Sequence, residues 1–213
     1  MLKLKIFVFN PFQENTYLLW DDNTKEAVII DPGVSNIEEE MELERFVLIN
    51  DLNIKYLLNT HGHVDHIVGN AFIKEKYNCK FYAPEKDIPL LEQLPEQTEK
   101  FGLNKKESPK PDEYLNQNLT LSLGESEISM LFTPGHTPGE FCFYFAKEKI
   151  CISGDVLFKE GIGRTDLWGG NYQTLLSSIK KKLFTLPDEV TVYPGHGDKT
   201  TIGYEKNNNP FLT

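Results

Sequence analysis

All five histidines of this chain lie in short motifs that are rich in glycine and aspartate. Three of them fall in the run Thr-His-Gly-His-Val-Asp-His at positions 60–66, and the other two are His136 and His196, each preceded by Pro-Gly. A neutral imidazole is the commonest metal ligand in proteins. Because no histidine is left over for an ordinary core or surface position, the pattern predicts a metal site.

Two carboxylates accompany the histidines and complete a set of seven candidate ligands. They are His61, His63, Asp65, His66, His136, Asp155 and His196. The first two histidines stand two residues apart in a loop and can point at one ion, whereas Asp65 and His66 follow as the chain turns and can reach a second. His136 and His196 can close one ligand set each, and Asp155, at the end of an apolar strand, can bridge both cations. Nitrogen and oxygen ligands without cysteine fit two divalent ions, zinc first, with iron or manganese as alternatives.

Ordinary explanations for the same residues carry less weight. An isolated His-x-His pair is often just part of an exposed loop, but here four separate ligand loops agree. Asp155 by itself is ambiguous, because an aspartate that ends a strand often caps a turn. Asp31 stands in Asp-Pro-Gly, which is more typical of a turn, or of support for a ligand, than of a ligand. Asp198 either supports His196 or is a surface charge.

The composition limits the classes of partner. The formal net charge is −10, which argues against nucleic acid or an anionic membrane, since both require clustered lysine and arginine. Cys79, Cys142 and Cys151 lie in apolar stretches without a Cys-x-x-Cys pair, which indicates reduced core thiols and a cytoplasmic protein. The first apolar run ends at Asn10-Pro11 and is too short for a signal peptide or a membrane span.

Hydrophobic periodicity predicts a mixed α/β protein. Strands are predicted at Leu2–Phe9, Thr16–Trp20, Ala27–Ile30, Ile54–Leu58, Lys80–Ala83, Leu119–Leu123, Glu127–Phe132, Phe141–Phe145, Lys149–Ile152 and Val190–Tyr193. Helices are predicted from an N-cap at Ser35, with Glu38 completing a capping box, to about Asn50 and at Val68–Tyr77, Tyr172–Phe184 and Ile202–Asn207. Residues 84–118 are expected to be irregular and partly helical. We expect one domain over residues 1–213, with similar halves at 1–118 and 119–213 and two sheets packed face to face between helices.

The order His-x-His-x-Asp-His, then His136, Asp155 and His196, resembles the metallo-β-lactamase superfamily over nearly the whole chain. It is most similar to the short bacterial glyoxalase II-like hydrolases. The stretches that carry this closer resemblance are Pro-Gly-His-Thr-Pro-Gly at 134–139, Ser-Gly-Asp-Val-Leu-Phe at 153–158, Gly-Arg-Thr-Asp at 163–166, Gly-Tyr-Glu at 203–205 and Asn-Pro-Phe at 209–211. The resemblance implies an αββα four-layer sandwich with a dinuclear site along one edge of the sheets.

The resemblance also implies how the ligands divide and which reaction they serve. One ion would take His61, His63 and His136; the other would take Asp65, His66 and His196; Asp155 would bridge them. Asp65 and Asp155 would hold, with the metals, a hydroxide that attacks the carbonyl of an S-acylglutathione such as S-lactoylglutathione. A thiolate, with a pKa near ~8.5, leaves without an obligatory acid.

Substrate contacts are less clearly marked, because the sequence departs from full-length glyoxalase II. The Lys-x-Tyr pair of that family is replaced by Arg164-Thr165-Asp166. Arg164 could hold a glutathione carboxylate, or it could pair with Asp166, which cannot replace the phenol as a neutral donor. Trp168 could form a lip over the site or pack as an ordinary aromatic side chain. The candidate substrate contacts are Arg164, Asp166 and Trp168.

Several other activities are compatible with the same motif. A persulfide dioxygenase would use one iron on His61, His136 and Asp155, and that family also has Gly-Arg-Thr-Asp. The complete set of seven ligands and Pro138 favour the hydrolase. A lactonase or β-lactamase remains within the hydrolase class, whereas a nuclease is disfavoured by the net charge. A non-catalytic metal protein would need a closed site, but seven ligands leave open positions on two ions. The expected partner is a small-molecule thioester, and the oligomeric state is left open.

Overall fold

Two six-stranded β-sheets form the centre of the protein in a computed structural model that describes residues 1–104 and 106–212. Lys105, in the stretch 84–118, and Thr213 lie outside the described residues. The strands are β1 Leu2–Phe9, β2 Glu14–Asp21, β3 Glu26–Ile30, β4 Asn53–Leu58, β5 Lys80–Ala83, β6 Glu113–Tyr114, β7 Thr120–Leu123, β8 Ser126–Phe132, β9 Phe141–Phe145, β10 Ile150–Gly154, β11 Leu157–Phe158, β12 Gly161–Ile162, β13 Thr191–Pro194 and β14 Thr200–Thr201. The first sheet has the order β1-β2-β3-β4-β5-β6 and the second β14-β13-β10-β9-β8-β7, while β11 and β12 form a separate hairpin.

Helices lie on the outer faces of these sheets. They are α1 Ile37–Ile49, α2 Val64–Ile67, α3 Asn70–Tyr77, α4 Ile88–Glu92, α5 Leu94–Lys100, α6 Tyr172–Ser178 and α7 Ile202–Asn208. A 3₁₀ turn at Glu85–Asp87 precedes α4, and a π-helical turn at Ile179–Leu183 continues α6. No helix of the described ranges has both the length and the hydropathy to span a membrane.

The residues of β2 explain why the sheets stack in this way. All eight are buried, and successive side chains of a strand point to opposite faces. Leu18 and Trp20 therefore pack into the core beneath α1 and α3, whereas Tyr17 and Leu19 pack into the core between the two sheets. A third core, between the second sheet and the later helices, includes Leu175. The predicted αββα order of four layers is confirmed.

The start of α1 is one residue later than the capping box predicted. The N-cap is Asn36, whose side chain accepts a hydrogen bond from the backbone N–H of Glu39 at 3.0 Å. The Glu39 carboxylate accepts from the N–H of Ser35 at 2.7 Å and from that of Asn10 at 2.8 Å. Asparagine caps a helix as well as serine does, so the additional contact with Asn10 favours Glu39 over Glu38.

Two further helix predictions differ from the structure in their detail. The helix predicted from Val68 begins at Asn70, because the N–H of Gly69 donates to the carbonyl of Pro32 at 2.8 Å instead of joining the helix. The helix predicted over Tyr172–Phe184 is α-helical only to Ser178 and then forms the π-helical turn. The stretch 84–118 is partly helical, as predicted.

The strands deliver the site residues because β4, β8, β10 and β13 each end just before a candidate ligand. Contacts across the edge hold the two sheets together there. The N–H of Asn15 donates to the carbonyl of Gly195 at 2.7 Å, and the hydroxyl of Tyr17 donates to that of Pro194 at 2.5 Å. The loops of both sheets are thus fixed relative to each other.

We predict that Asp21 stabilises the fold in a pH-dependent manner. The N–H groups of Thr24 and Asn23 donate to its carboxylate, with the N-terminal ammonium nearby, and lower its pKa to about 2. Since the unfolded value is about 3.9, the stabilisation is present above pH ~4 and is lost as the pH falls towards 2. Asp21→Asn should lower the free energy of unfolding by about 1 kcal/mol at pH 6 and hardly at pH 2.

Denaturant unfolding at a series of pH values measures this difference. Asp22→Asn is the matched control, because the side chain of Asp22 is 46% exposed and should matter less. A constant difference between wild type and Asp21→Asn from pH 6 to pH 2 would contradict the assignment.

Candidate metal centre

The structure brings the seven candidate ligands to one edge of the two sheets. Three triplets have ligand atoms that all lie within 4.8 Å of one another. One of them, Asp31, His61 and His66, includes an aspartate that is not among the seven, and the other two consist of candidate ligands alone. Of these two, the first triplet is His61, His63 and His136, and the second is Asp65, His66 and His196. This is the division that the resemblance implies; the binding of ions by these residues remains a prediction.

Asp155 lies between the two triplets. Its Oδ1 is 3.5 Å from Nε2 of His66, and its Oδ2 is 3.6 Å from Nε2 of His136 and 3.7 Å from Nε2 of His196. One carboxylate thus faces nitrogen atoms of both triplets, which is the arrangement that a bridging ligand requires.

Hydrogen bonds at Nδ1 fix the tautomer of three of the histidines. Nδ1 of His66 lies 3.1 Å from a carboxylate oxygen of Asp31. Nδ1 of His136 lies 2.7 Å from the carbonyl of Arg164, and Nδ1 of His196 lies 3.1 Å from the carbonyl of Phe12. Carbonyl and carboxylate oxygens only accept, so Nδ1–H is the donor in each case and Nε2 is the nitrogen that a metal ion would take.

His61 is oriented through a relay from Asp31. The N–H and the hydroxyl of Thr60 donate to Oδ1 and Oδ2 of Asp31 at 2.7 and 2.6 Å. Because the hydroxyl hydrogen is used there, the Thr60 oxygen accepts from Nδ1–H of His61 at 2.9 Å. Asp31 therefore supports a histidine of each triplet, in agreement with the supporting role that its motif predicts.

His63 differs from the other histidines because Nδ1, and not Nε2, is the nitrogen that faces its triplet. Nδ1 of His63 lies 2.9 Å from Nε2 of His136, so two ring nitrogens converge on one point. Burial, together with His136, lowers the pKa of His63 to about 3, and burial also lowers the pKa of His61 and of His136. These imidazoles are neutral at pH 7, and neutral imidazole is the form that binds metal.

Unpaired buried atoms test whether this donor set fits a cation. Nε2 of His61, Nε2 of His66 and Oδ1 of Asp155 are buried and make no hydrogen bond within residues 1–104 and 106–212. Buried polar atoms are nearly always paired, and leaving one unpaired costs roughly 1–3 kcal/mol. Buried nitrogen and oxygen atoms that lie close together and lack hydrogen-bond partners fit a metal ion.

The second triplet has the stronger negative potential. Burial lowers the pKa of His66, but the carboxylates of Asp65 and Asp155 outweigh it and raise that pKa well above its usual value. The pKa of His196 is raised in the same way: burial opposes the shift, and the hydrogen bond with Asp65 and the charge of Asp155 produce it. This half of the site thus favours positive charge, as a site for a divalent cation should.

Three buried acids near the ligands were not among the residues predicted from the sequence. Asp87 accepts from the N–H of Gly62 at 3.0 Å, the hydroxyl of Thr137 at 2.7 Å and the N–H of Gly139 at 2.7 Å. It joins the loop of His61 to the loop of His136. Burial raises its pKa to about 6 although these bonds lower it. Its place in the irregular stretch 84–118 gave no reason to choose it over its acidic neighbours.

The other two acids lie directly behind the histidines. Glu140 and Glu14 are fully buried. Oε1 of Glu140 is 3.6 Å from Nδ1 of His61, and Oε1 of Glu14 is 3.9 Å from Nδ1 of His66. A glutamate that directly precedes the apolar strand β9 or starts the fully buried strand β2 is the signal that could have pointed to them.

The candidate substrate residues lie on the loop after β12. Arg164 pairs with Asp166, which is the second of the two roles considered for it in the sequence analysis. Its Nε donates to Oδ1 at 2.8 Å and a terminal guanidinium nitrogen donates to Oδ2 at 2.7 Å, and both side chains are exposed. Trp168 is 54% exposed and is not a core residue. The following Gly169 packs against Pro138, where a Cβ would come within 2.3 Å, so this turn lies against the loop of His136.

Asp198 does not support His196 in the structure. Its side chain is exposed, and the carbonyl of Phe12 holds Nδ1 of His196 instead. The surface-charge alternative is the correct one, because the backbone of the β1–β2 loop already occupies the position that a supporting carboxylate would take.

Comparison with known proteins places the chain in a family. Residues 9–196 match the profile of the metallo-β-lactamase superfamily. The chain is 44% identical over 213 residues to hydroxyacylglutathione hydrolase GloC of Haemophilus influenzae, covering 99% of this chain and 98% of that protein.

Solved structures agree with the sequence comparison. The B3 metallo-β-lactamase BLEG-1 is 37% identical with a TM-score of 0.88, and 100% of each chain is covered. TTHA1623 in a di-iron-bound form is 34% identical with a TM-score of 0.86, covering 98% of this chain and 100% of that one. The chain therefore belongs to the metallo-β-lactamase superfamily and is a metallo-hydrolase of that group.

Proposed function

We propose that this hydrolase cleaves thioesters of glutathione, such as S-lactoylglutathione, with two divalent cations held by the two triplets. The observation that carries the proposal is Asp155, whose carboxylate faces nitrogen atoms of both triplets. The 44% identical hydroxyacylglutathione hydrolase supports the choice of substrate.

The choice of metal rests on the ligands. His61, His63 and His136 would hold one ion and Asp65, His66 and His196 the other. Five imidazoles and two carboxylates suit zinc, with iron or manganese as alternatives, and the di-iron form of TTHA1623 supports the iron alternative. When bound, the ions would supply Lewis acidity and a hydroxide nucleophile near neutral pH.

The protein side chains would orient the reacting atoms. Asp65 and Asp155 both lie close to His196, with oxygens 3.1 and 3.7 Å from its Nε2. From there they would accept hydrogen bonds from the nucleophile and keep it directed at the thioester carbonyl. The thiolate of glutathione then leaves without a protein acid, because its pKa is near ~8.5.

Glutathione would bind along the loop after β12. Arg164 is the cation on this loop, and its ion pair with Asp166 is exposed and therefore weak, so a substrate carboxylate can replace Asp166. The exposed ring of Trp168 would cover the peptide part of the substrate. The three free thiols are buried, which suits a reducing cytoplasm where glutathione is abundant.

We predict close to two ions per chain and rapid hydrolysis of S-lactoylglutathione by the same sample. Metal analysis and a thioester cleavage assay on the purified protein measure both. Two ions without cleavage would remove glutathione from the proposal but retain a hydrolase. One iron per chain, no cleavage and oxygen uptake with glutathione persulfide would identify a dioxygenase instead.

His63→Ala should abolish hydrolysis without unfolding the chain, because it removes one nitrogen from the first triplet and no core contact. Metal content, turnover and the circular dichroism spectrum are compared with those of wild type. Retained turnover with full metal content would contradict the assignment of His63 to the metal site.

Asp87→Asn should weaken metal binding by about 10–100-fold. An asparagine has one acceptor oxygen in place of two, and its NH₂ would face a backbone N–H of Gly62 or Gly139. Chelator competition measures the affinity, and Asp198→Asn is the control, since it makes the same change on an exposed side chain of another ligand loop. Equal affinities in the two variants would contradict the role of Asp87.

A further inference from the structure

Glu140 is a fully buried acid whose contacts are few and specific. Its Oε1 accepts a hydrogen bond from the backbone N–H of Asp155 at 2.9 Å and lies 3.6 Å from Nδ1 of His61. Its Oε2 is buried and makes no hydrogen bond within the described residues. Burial of a carboxylate is unfavourable unless it is well paired, so fold stability alone does not explain a glutamate here.

The backbone of Glu140 meets two further ligand loops. Its carbonyl accepts from the N–H of Thr133 at 2.9 Å, which closes the loop that contains His136. The N–H of the next residue, Phe141, donates to the carbonyl of Thr60 at 2.9 Å, directly before His61. Glu140 therefore stands where the segments of His61, His136 and Asp155 come together.

The turn that presents Asp155 has little room to adjust. Gly154 has φ +51°, and a Cβ there would lie 2.6 Å from the hydroxyl oxygen of Thr60 and 3.0 Å from Oε1 of Glu140. Both side chains thus lie against Gly154, next to the peptide that carries the N–H of Asp155. This N–H points at Glu140, and the orientation of the peptide determines where the Asp155 carboxylate lies.

We propose that Glu140 is a positioning residue for the bridging carboxylate: its side-chain oxygen fixes the N–H of Asp155 and so holds the Asp155 side chain between the two triplets. The inference rests on the proposed dinuclear centre. Without this acceptor Asp155 turns away, and the ion that depends on it more is bound less tightly. Two of the three histidines that face Asp155, His66 and His196, belong to the second triplet, so that triplet's ion is the one affected.

Two substitutions of Glu140 distinguish the hydrogen-bond acceptor from the volume of the side chain. Glu140→Gln retains an oxygen acceptor of the same length, whereas Glu140→Met retains the length and removes the oxygen. Zn²⁺ stoichiometry and both affinities are measured by chelator competition, and the thermal unfolding of the metal-free protein is followed in parallel.

We expect Glu140→Met to bind one ion as wild type does and the other about 10–100-fold more weakly. The Zn²⁺ affinities of Glu140→Gln should remain within about threefold of those of wild type, because the glutamine still provides an acceptor oxygen. The metal-free Met variant should unfold at the wild-type temperature or above, which a merely structural glutamate would not allow. Two ions bound by Glu140→Met with wild-type affinity, or a Gln variant as weak as Met, would overturn the proposal.

If Glu140→Met fails to fold, the amide of Asp155 gives a direct measurement. In wild type its proton should exchange slowly and resonate downfield, and in Glu140→Gln it should remain protected with a smaller downfield shift. Rapid exchange of this amide in wild type would overturn the proposal. Wild type with two ions but no thioester cleavage would refute the proposed substrate and leave the Glu140 result standing, whereas wild type with a single ion would refute both.

Discussion

The metal centre depends on one carboxylate, that of Asp31. It accepts hydrogen bonds from the N–H and the hydroxyl of Thr60 and from Nδ1 of His66. Through Thr60 it also fixes His61, so one anion orients imidazoles in both triplets. Hydrogen bonds to an ionised acceptor are about twice as strong as neutral ones. Neither triplet can reorient without disturbing the other.

The rest of the fold makes this arrangement rigid. Asp31 follows directly after β3 and takes a φ of +51°, a conformation that aspartate tolerates better than most residues. β4 and β10 end in runs of buried residues on both faces, and ligand loops that end such strands are held more precisely than free loops. Asp87 and Glu140 then join loops that are far apart in the sequence.

Much of the site was predictable because its residue types are rare. Histidine occurs five times in the chain, so its positions alone indicated which loops converge, and the apolar runs between turn residues indicated the strands of the sheets. Asp87 was not predictable, because acids are common in this chain and this one acquires a role only when distant loops meet. Glu140 had only its place directly before the apolar strand β9 to mark it. Asp87 contacts residues that are 25, 50 and 52 positions away.

Rules based on local sequence mispredicted a helix end in two situations: where two neighbouring residues could both serve as the N-cap, and where tertiary packing determined the conformation. Ser35 and Asn36 are both good N-caps, and the choice was made by Glu39 reaching Asn10, a contact between segments 29 residues apart. The π-helical turn after Ser178 has the same kind of origin, since the periodic pattern that predicted a longer helix contains no signal for a change of pitch.

Each triplet draws its ligands from both sheets: His61, His63, Asp65 and His66 follow β4 of the first sheet, whereas His136 and His196 follow strands of the second. An ion in either triplet is therefore a cross-link between two halves of the chain that the polypeptide joins only once, between β6 and β7. If the proposed ions are bound, separation of the sheets has to release them first, and a ligand that binds only the folded state stabilises it in proportion to the logarithm of the free ligand concentration. With the proposed ions, the resistance of this protein to unfolding and proteolysis would follow the metal supply of its surroundings, so that metal starvation would limit its lifetime as well as its activity.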